Sequence, residues 1–242
     1  PETLVKKKLI KYVYFWILSF IQNKSQSKIF WLVNSIREKN YLQFYLYRAN
    51  LEIYTIENLN EVKEKKIKIH KKSNSLKLFY FSNITKKKNL LDTIEIVKKT
   101  HHKKIILDIY GKVIDDNYFL KIKKAIKYNS NINYRGYIDD DHKKKKVFSN
   151  YHYLIHHSLG ENYGHVLVES MSYGIPFISN QSHPWTDIDT DFFGYILPRE
   201  LVYQQVEFLK KLFKLENKTY QAERKKFLLY FKNKILLEEG KR

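Results

Sequence analysis

From about residue 76 two apolar patterns take turns along the chain. "LKLFYFS" (76–82) is a short aromatic-rich run ended by Ser-Asn, and "NLLDTIEIVKK" (89–99) carries apolar residues at helical spacing. "KIILDIYG" (104–111) predicts a second strand closed by Gly111, and "DDNYFLKIKKAIKYN" (115–129) an amphipathic helix opened by two acids. "INYRG" (132–136) follows as a third strand, then a charged helix near 140–150 and a fourth strand, "YHYLIHHS" (151–158). "YGHVLVESMSYG" (163–174) predicts a helix with a glycine stop, and "IPFIS" (175–179) a fifth strand. Strands alternating with helices of this length mean βαβ units, a parallel sheet and right-handed crossovers.

The flanks differ. After Gly194 come a short "YILP" and two lysine-rich helices at about 200–215 and 217–237. Residues 1–72 predict helices with many aromatics, plus "LEIYTIENLNE" (51–61) as a strand running into a hinge. The polar "KEKKIKIHKKSNS" sets a boundary near 65–75, giving units 1–72, 73–198 and 199–242. "YVYFWILSFI" (12–21) is too short to span a bilayer and predicts a buried or interfacial helix; it has no small-residue cleavage site after it. The chain starts at Pro1, which leaves room for an upstream segment.

Composition narrows the classes. With 242 residues and 43% hydrophobic content the chain can bury a core, and its lack of cysteine excludes disulfides and thiolate metal sites and points to a reducing compartment. The sequons at Asn23, Asn83 and Asn217 carry no weight there. A formal charge of +20 has two readings: lysines of an AT-rich coding sequence on solvated faces, or a surface for a polyanion or anionic membrane.

Ligands of an open parallel sheet bind outside the carboxyl ends of its strands. Those ends are the loops Ser82–Thr85, Gly111–Lys112, Gly136–Tyr137, Ser158–Asn162 and Ser179–Gln181. Neither G-x-G-x-x-G nor G-x-x-x-x-G-K-[ST] occurs, which argues against a dinucleotide oxidoreductase or a P-loop NTPase. Phosphate can still be held by backbone N–H groups at a helix start, where Gly160 and Gly164 let it approach. Lys86, Lys87 and Lys88 fall at a predicted helix N-terminus, where the dipole disfavours cations unless an anion lies between; a solvated lysine run is the plain alternative. On the helix from 163, His165, Glu169 and Ser172 share a face within an apolar run. A carboxylate buried there needs partners, such as vicinal sugar hydroxyls, unless it simply faces water. His152, His156 and His157, on a strand without an acid cluster, read as structural rather than metal-binding.

The run "ENYGHVLVESMSYGIPFIS" resembles the E-x-F-G-x-x-x-x-E segment of retaining family 4 glycosyltransferases of the GT-B fold. "FYFSNITKKKNLLDTIEIV" is similar to their phosphate-loop segment, "LDIYGKVIDDNYF" and "NINYRGYI" to the next two βα units, and "SNQSHPWTDI" to the loop after strand five. The collinear match covers roughly 76–198, and the subgroup it resembles carries G-E-N-F-G-H followed by Pro-Trp.

The resemblance implies an α/β fold: a Rossmann-like parallel sheet flanked by helices, the C-terminal half of a GT-B enzyme, with a helical remnant of the first half. It implies transfer of a hexose, with retention and without a bound metal or other cofactor, from a UDP- or GDP-linked donor to a glycan or glycolipid. Glu161 and Lys88 become the expected catalytic residues, Glu161 on the donor sugar's hydroxyls and Lys88 on its diphosphate. Glu169 would meet the ribose, the backbone of Asn162, Tyr163 and Gly164, before His165, would approach the diphosphate, and Tyr137 beside Gly136 would lie at the base. Asn83 stands where the family carries an arginine, and Lys86 or Lys87 would substitute for its charge. In "LEIYTIENLNEV" the hinge strand's Pro and Gly are replaced by Glu57 and Leu59.

The first half of a GT-B enzyme holds the acceptor, so this chain reads as a fragment or a natural truncation. The expected setting is polysaccharide, lipopolysaccharide or other glycolipid assembly, in the cytoplasm with peripheral attachment to the inner membrane face. Nucleic acid is not an expected partner of the enzyme. The competing reading is an inactive, transferase-like basic module for nucleic acid or anionic membrane, with affinity falling steeply with salt and indifferent to Glu161 and Glu169.

Overall fold

The structure is a computed structural model, and it describes residues 13–18, 20–21, 24, 30–33, 36–45, 52–55, 63–190 and 195–236. Contacts divide the chain into two units, Pro1–Glu61 and Val62–Arg242.

In the first unit strands β1 (Phe30–Val33) and β2 (Glu52–Thr55) pair in parallel, joined through helix α1 (Ile36–Tyr45). The sequence pattern predicts helices across 1–50 and misses β1, whose four residues "FWLV" show no period of their own. Residues 13–18 are helical as expected, and Tyr14, Trp16 and Ile17 are exposed, so of the two expected settings, buried or interfacial, the buried one does not hold. Among the described residues no helix is long and apolar enough to cross a membrane. The hinge at 56–61 lies outside the described residues.

The second unit carries the predicted alternation. Strands β3 (Leu76–Phe81), β4 (Ile105–Tyr110), β5 (Ile132–Gly136), β6 (Tyr153–His156) and β7 (Phe177–Ser179) form one parallel sheet in the order β5-β4-β3-β6-β7. Helices α2 (Leu90–Lys99), α3 (Asp116–Ile126), α4 (Asp141–Phe148) and α5 (His165–Ser172) form the crossovers, and α6 (Val202–Lys214) and α7 (Asn217–Phe231) follow. β6, inside the sheet, is buried at every position, as a strand covered on both faces must be, whereas edge strand β5 is half-buried. Asp115 and Asp140 cap α3 and α4 by accepting from the backbone N–H of Tyr118 (2.9 Å) and Lys143 (2.7 Å).

The polar stretch 63–72 belongs to this unit rather than to a linker before residue 73. Under its charge runs a two-residue alternation that turns Ile69 and Lys71 inward. Lys71 buries its whole side chain, and its ammonium donates to the carbonyls of Leu215 (2.8 Å) and Phe213 (3.3 Å) at the end of α6. Arg224 on α7 donates to the carbonyls of Gly174 (2.8 Å) and Tyr173 (3.1 Å), tying the last helix to the end of α5. The two C-terminal helices therefore complete the core of the sheet domain: Phe208, Leu209, Phe213, Tyr220 and Phe227 lie in the same cluster as the strands.

The chain turns off β4 at Gly111, where a Cβ would sit 1.8 Å from the carbonyl oxygen of Ser82 at the end of β3. Gly111→Ala is expected to push the two strand ends apart and cost about 1–3 kcal/mol. Urea unfolding of the variant beside the parent chain measures it.

Candidate functional site

The sheet order fixes where the loops converge. From β3 the chain moves outward to β4 and β5, then returns to place β6 on the other side of β3. Loops leaving β3 and β6 therefore diverge, opening a crevice at their carboxyl ends. Lys88 lies on the β3 loop and Glu161 on the β6 loop, and the two meet across it.

The Lys88 ammonium donates to both Glu161 carboxylate oxygens, at 2.6 Å and 2.8 Å. His156, the last residue of β6, adds its Nε2 to Oε1 at 2.8 Å. Burial alone would raise the Glu161 carboxyl, but hydrogen bonds from His156 and Lys88 outweigh it and hold the group at about 2. Complete burial pushes His156 down from its ordinary value, against the pull of Glu161. An ionised carboxylate only accepts, so a neutral His156 carries its proton on Nε2. That leaves Nδ1 buried without a partner among the described residues.

Three loops interlock to hold this arrangement. Lys86–Lys88 form a tight 3₁₀ turn of their own, and Asn89, at φ 52°, separates them from α2. The lysines thus do not open the long helix as predicted, and Glu161 is the anion that meets Lys88. The Lys87 carbonyl accepts from Leu159 N (2.9 Å) and Ser158 Oγ (3.2 Å), joining the first loop to the second. Glu161 N donates to the Ser182 carbonyl (2.7 Å) and Asn180 Nδ2 to the Ser158 carbonyl (2.8 Å), joining the second to the third. The Trp185 indole donates to the Tyr163 carbonyl, and Ser179 Oγ lies 2.6 Å from His183 Nε2.

Gly164, at φ 79°, occupies the left-handed conformation that starts α5. Around it Asn162 and His165 are exposed and Tyr163 half-buried. Asn83, Gly136 and Tyr137 lie on neighbouring loops of the same sheet edge, Asn83 and Tyr137 exposed and Gly136 at φ 88°.

Glu169 falls between its two expected settings, buried or facing water: its side chain is 22% exposed, with Lys144 Nζ at 3.7 Å and Lys65 Nζ at 3.9 Å. Ser172, on the predicted shared face, is buried and donates to the Glu169 carbonyl at 2.7 Å. The helix packs on the sheet and on α7, and lysines from α4 and the 63–72 segment reach its Glu169 side. Sequence reasoning also missed His156 as a partner of Glu161; its place at the carboxyl end of β6 was the available signal.

A family model described as glycosyl transferases group 1 matches residues 61–227. The chain belongs to this family. Among solved structures it is similar to TarM, at 16% identity and a TM-score of 0.64 over 93% of this chain and 44% of that one. It is similar to Anabaena HepE, solved with UDP and glucose, at 13% identity and a TM-score of 0.68 over 92% of this chain and 63% of that one. WaaG, a glycosyltransferase involved in lipopolysaccharide biosynthesis, matches at 14% identity and a TM-score of 0.65 over 85% of this chain and 59% of that one. The chain spans less than two thirds of each. No curated protein matches it. The shared fold is the Rossmann-like C-terminal half of GT-B glycosyltransferases.

Because the folded Glu161 carboxyl lies below its ordinary 4.5, its contribution to stability is full above that value and is lost as pH falls toward about 2. In Lys88→Met the carboxyl keeps only His156, and its midpoint is expected to rise by about one unit or more. Carboxyl-carbon NMR titration reads the shift.

Proposed function

We propose that this chain is the donor-binding half of a metal-independent, retaining glycosyltransferase. It moves a hexose from a UDP- or GDP-linked sugar to a glycan or glycolipid hydroxyl. The observation that carries the reading is the Lys88–Glu161 pair where the strand order reverses. In transfer the bond from the sugar's anomeric carbon to the diphosphate oxygen breaks, the acceptor oxygen bonds to that carbon on the same face, and the acceptor proton leaves with the diphosphate.

The demand on the protein is to stabilise charge on the departing diphosphate. Lys88 serves this by exchanging Glu161 for phosphate oxygens, and the released carboxylate takes hydroxyls of the sugar. The pair is therefore the resting form of two binding groups, with His156 keeping Glu161 in place during the exchange. Glu169 meets the ribose, with the ammonium groups of Lys65 and Lys144 beside it. Gly136 and Tyr137 receive the base, and the backbone at Asn162–Gly164 approaches the diphosphate beside Asn83, Tyr163 and His165. The solution of HepE with UDP and glucose supports a UDP-linked donor.

An anionic acceptor or peripheral contact with an anionic membrane is supported by a basic groove between the 63–72 segment and α4, lined by Lys66, Lys68, His142, Lys145 and Lys146. The same groove supports the second reading, a basic binding module without transfer.

Calorimetry with UDP, GDP and their sugars is expected to show saturable binding, weakened about tenfold or more by Lys88→Ala and by Glu169→Ala, a loss of about 1.4 kcal/mol. Absence of nucleotide binding, with salt-steep affinity for anionic vesicles unchanged in both variants, would establish the binding module instead.

A further inference from the structure

His156 and His157 are neighbours with different surroundings. His156 reaches Glu161, whereas His157 Nδ1 lies 3.2 Å from Thr93 Oγ1 on α2. His157 Nε2 is buried without a partner among the described residues, and so is Oε1 of Gln205 on α6. Both side chains are only 2% exposed, and both line one cleft between α2 and α6, of about 410 Å³.

One of the two polar roles beside the cleft is fixed and the other is adaptable. Gln205 Nε2 donates to the Pro198 carbonyl at 2.9 Å, so its Oε1 is an acceptor left buried behind the cleft wall, within reach of a ligand once the side chain turns outward. Burial holds His157 neutral, at about 3, so Nε2 either donates or accepts according to how the Thr93 hydroxyl turns. A hydroxyl, which donates and accepts at once, satisfies both groups.

The walls narrow the ligand further. Ile96 and Val202 give the cleft an apolar side. Of its charged groups, Asp92 is held by Arg199 and Glu95 by Lys98. Lys99 and Glu200 add one charge of each sign to the lining. A net anion or cation would confront one of them with its own sign, whereas a neutral ligand with several hydroxyls meets both. The volume is that of a small-molecule site and exceeds the roughly 30 Å³ share of one water many times.

We propose that the cleft between α2 and α6 is a second saccharide site, separate from the Lys88–Glu161 crevice, which takes a neutral pyranose ring or the end of a glycan chain. Hydroxyls bridge His157 and Gln205, the apolar face of the ring packs on Ile96 and Val202, and Lys99 and Glu200 close the rim.

The probes are methyl glycosides of glucose, galactose, mannose and N-acetylglucosamine, added to the full chain with saturating UDP and followed by saturation-transfer NMR and calorimetry. At least one is expected to bind saturably in the millimolar range, about tenfold weaker in Gln205→Leu and in Glu200→Ala, and unchanged in Glu161→Gln. Glu200 is exposed, so its variant keeps the test decisive if Gln205→Leu does not fold. The proposal is overturned if no probe saturates, or if Glu161→Gln abolishes binding that Glu200→Ala leaves intact. UDP binding is read on the same samples: its loss alone sinks the donor-site reading and spares the second site.

Discussion

The seam between β3 and β6 is the constraint on which the site depends. Neighbouring strands whose chains leave in opposite directions cannot share a crossover helix at their carboxyl ends, so a crevice opens there. The side chains of Lys88 and Glu161 there are only 24% and 10% exposed. Two side chains of opposite charge in such a place attract strongly, but each has given up water. Glu161 resolves the conflict with three short contacts, two from one ammonium and one from an imidazole. An apolar pair of similar volume would hold the loops with no charge to desolvate. The polar solution makes sense if the charges are used, and the proposed exchange of Lys88 between carboxylate and diphosphate is such a use.

Precision at that seam comes from backbone hydrogen bonds. The three loops are fastened to one another through the carbonyls of Lys87, Ser158 and Ser182. The aromatic core supplies the rigid base: Phe79, Phe148 and Tyr151 pack at ring distances of 4.7 and 5.2 Å beneath the sheet, and buried tyrosines find polar ends for their hydroxyls. Tyr151, for example, donates to Asp108 at 2.7 Å, and Asp108 also accepts from Asn133. A tyrosine-rich chain can thus build a core from residues that are apolar along the ring and still need a partner at its tip.

The sheet was legible because its strands are short apolar runs between helices with caps and glycine stops, so periodicity and punctuation agreed from residue 76 to 179. Outside that range they did not. β1 is four residues long, too short to show a period, and the inward alternation of Ile69 and Lys71 was masked by the surrounding lysines. The candidate residues gathered on one sheet edge because the carboxyl-end rule needs only strand order. What could not be read was pairing: nothing in "KKK" tells which lysine will meet Glu161, and nothing in "HH" tells that one imidazole serves that carboxylate while the next turns to Thr93. Those choices follow from which way each side chain leaves the strand end. Glu169 shows the same limit, since its apolar neighbours on α5 are blind to lysines arriving from α4 and from the 63–72 segment.

Charge distribution links these points. In a chain of net charge +20 an acid is the scarce group, and where it stands says more than where a lysine stands. Glu161, Glu169 and Asp108 each draw cations to a defined place in the sheet domain. Between those places the lysines remain in excess, as in the groove of Lys66, Lys68, Lys145 and Lys146. Such a surface attracts any polyanion over about a Debye length, 8–10 Å at ordinary salt, without choosing among them. Selectivity must then arise where charge is balanced rather than where it is greatest. In the proposed exchange a diphosphate has to compete with Glu161 for Lys88, and that competition, absent from the open groove, separates a ligand of matched shape from an anion that is merely attracted.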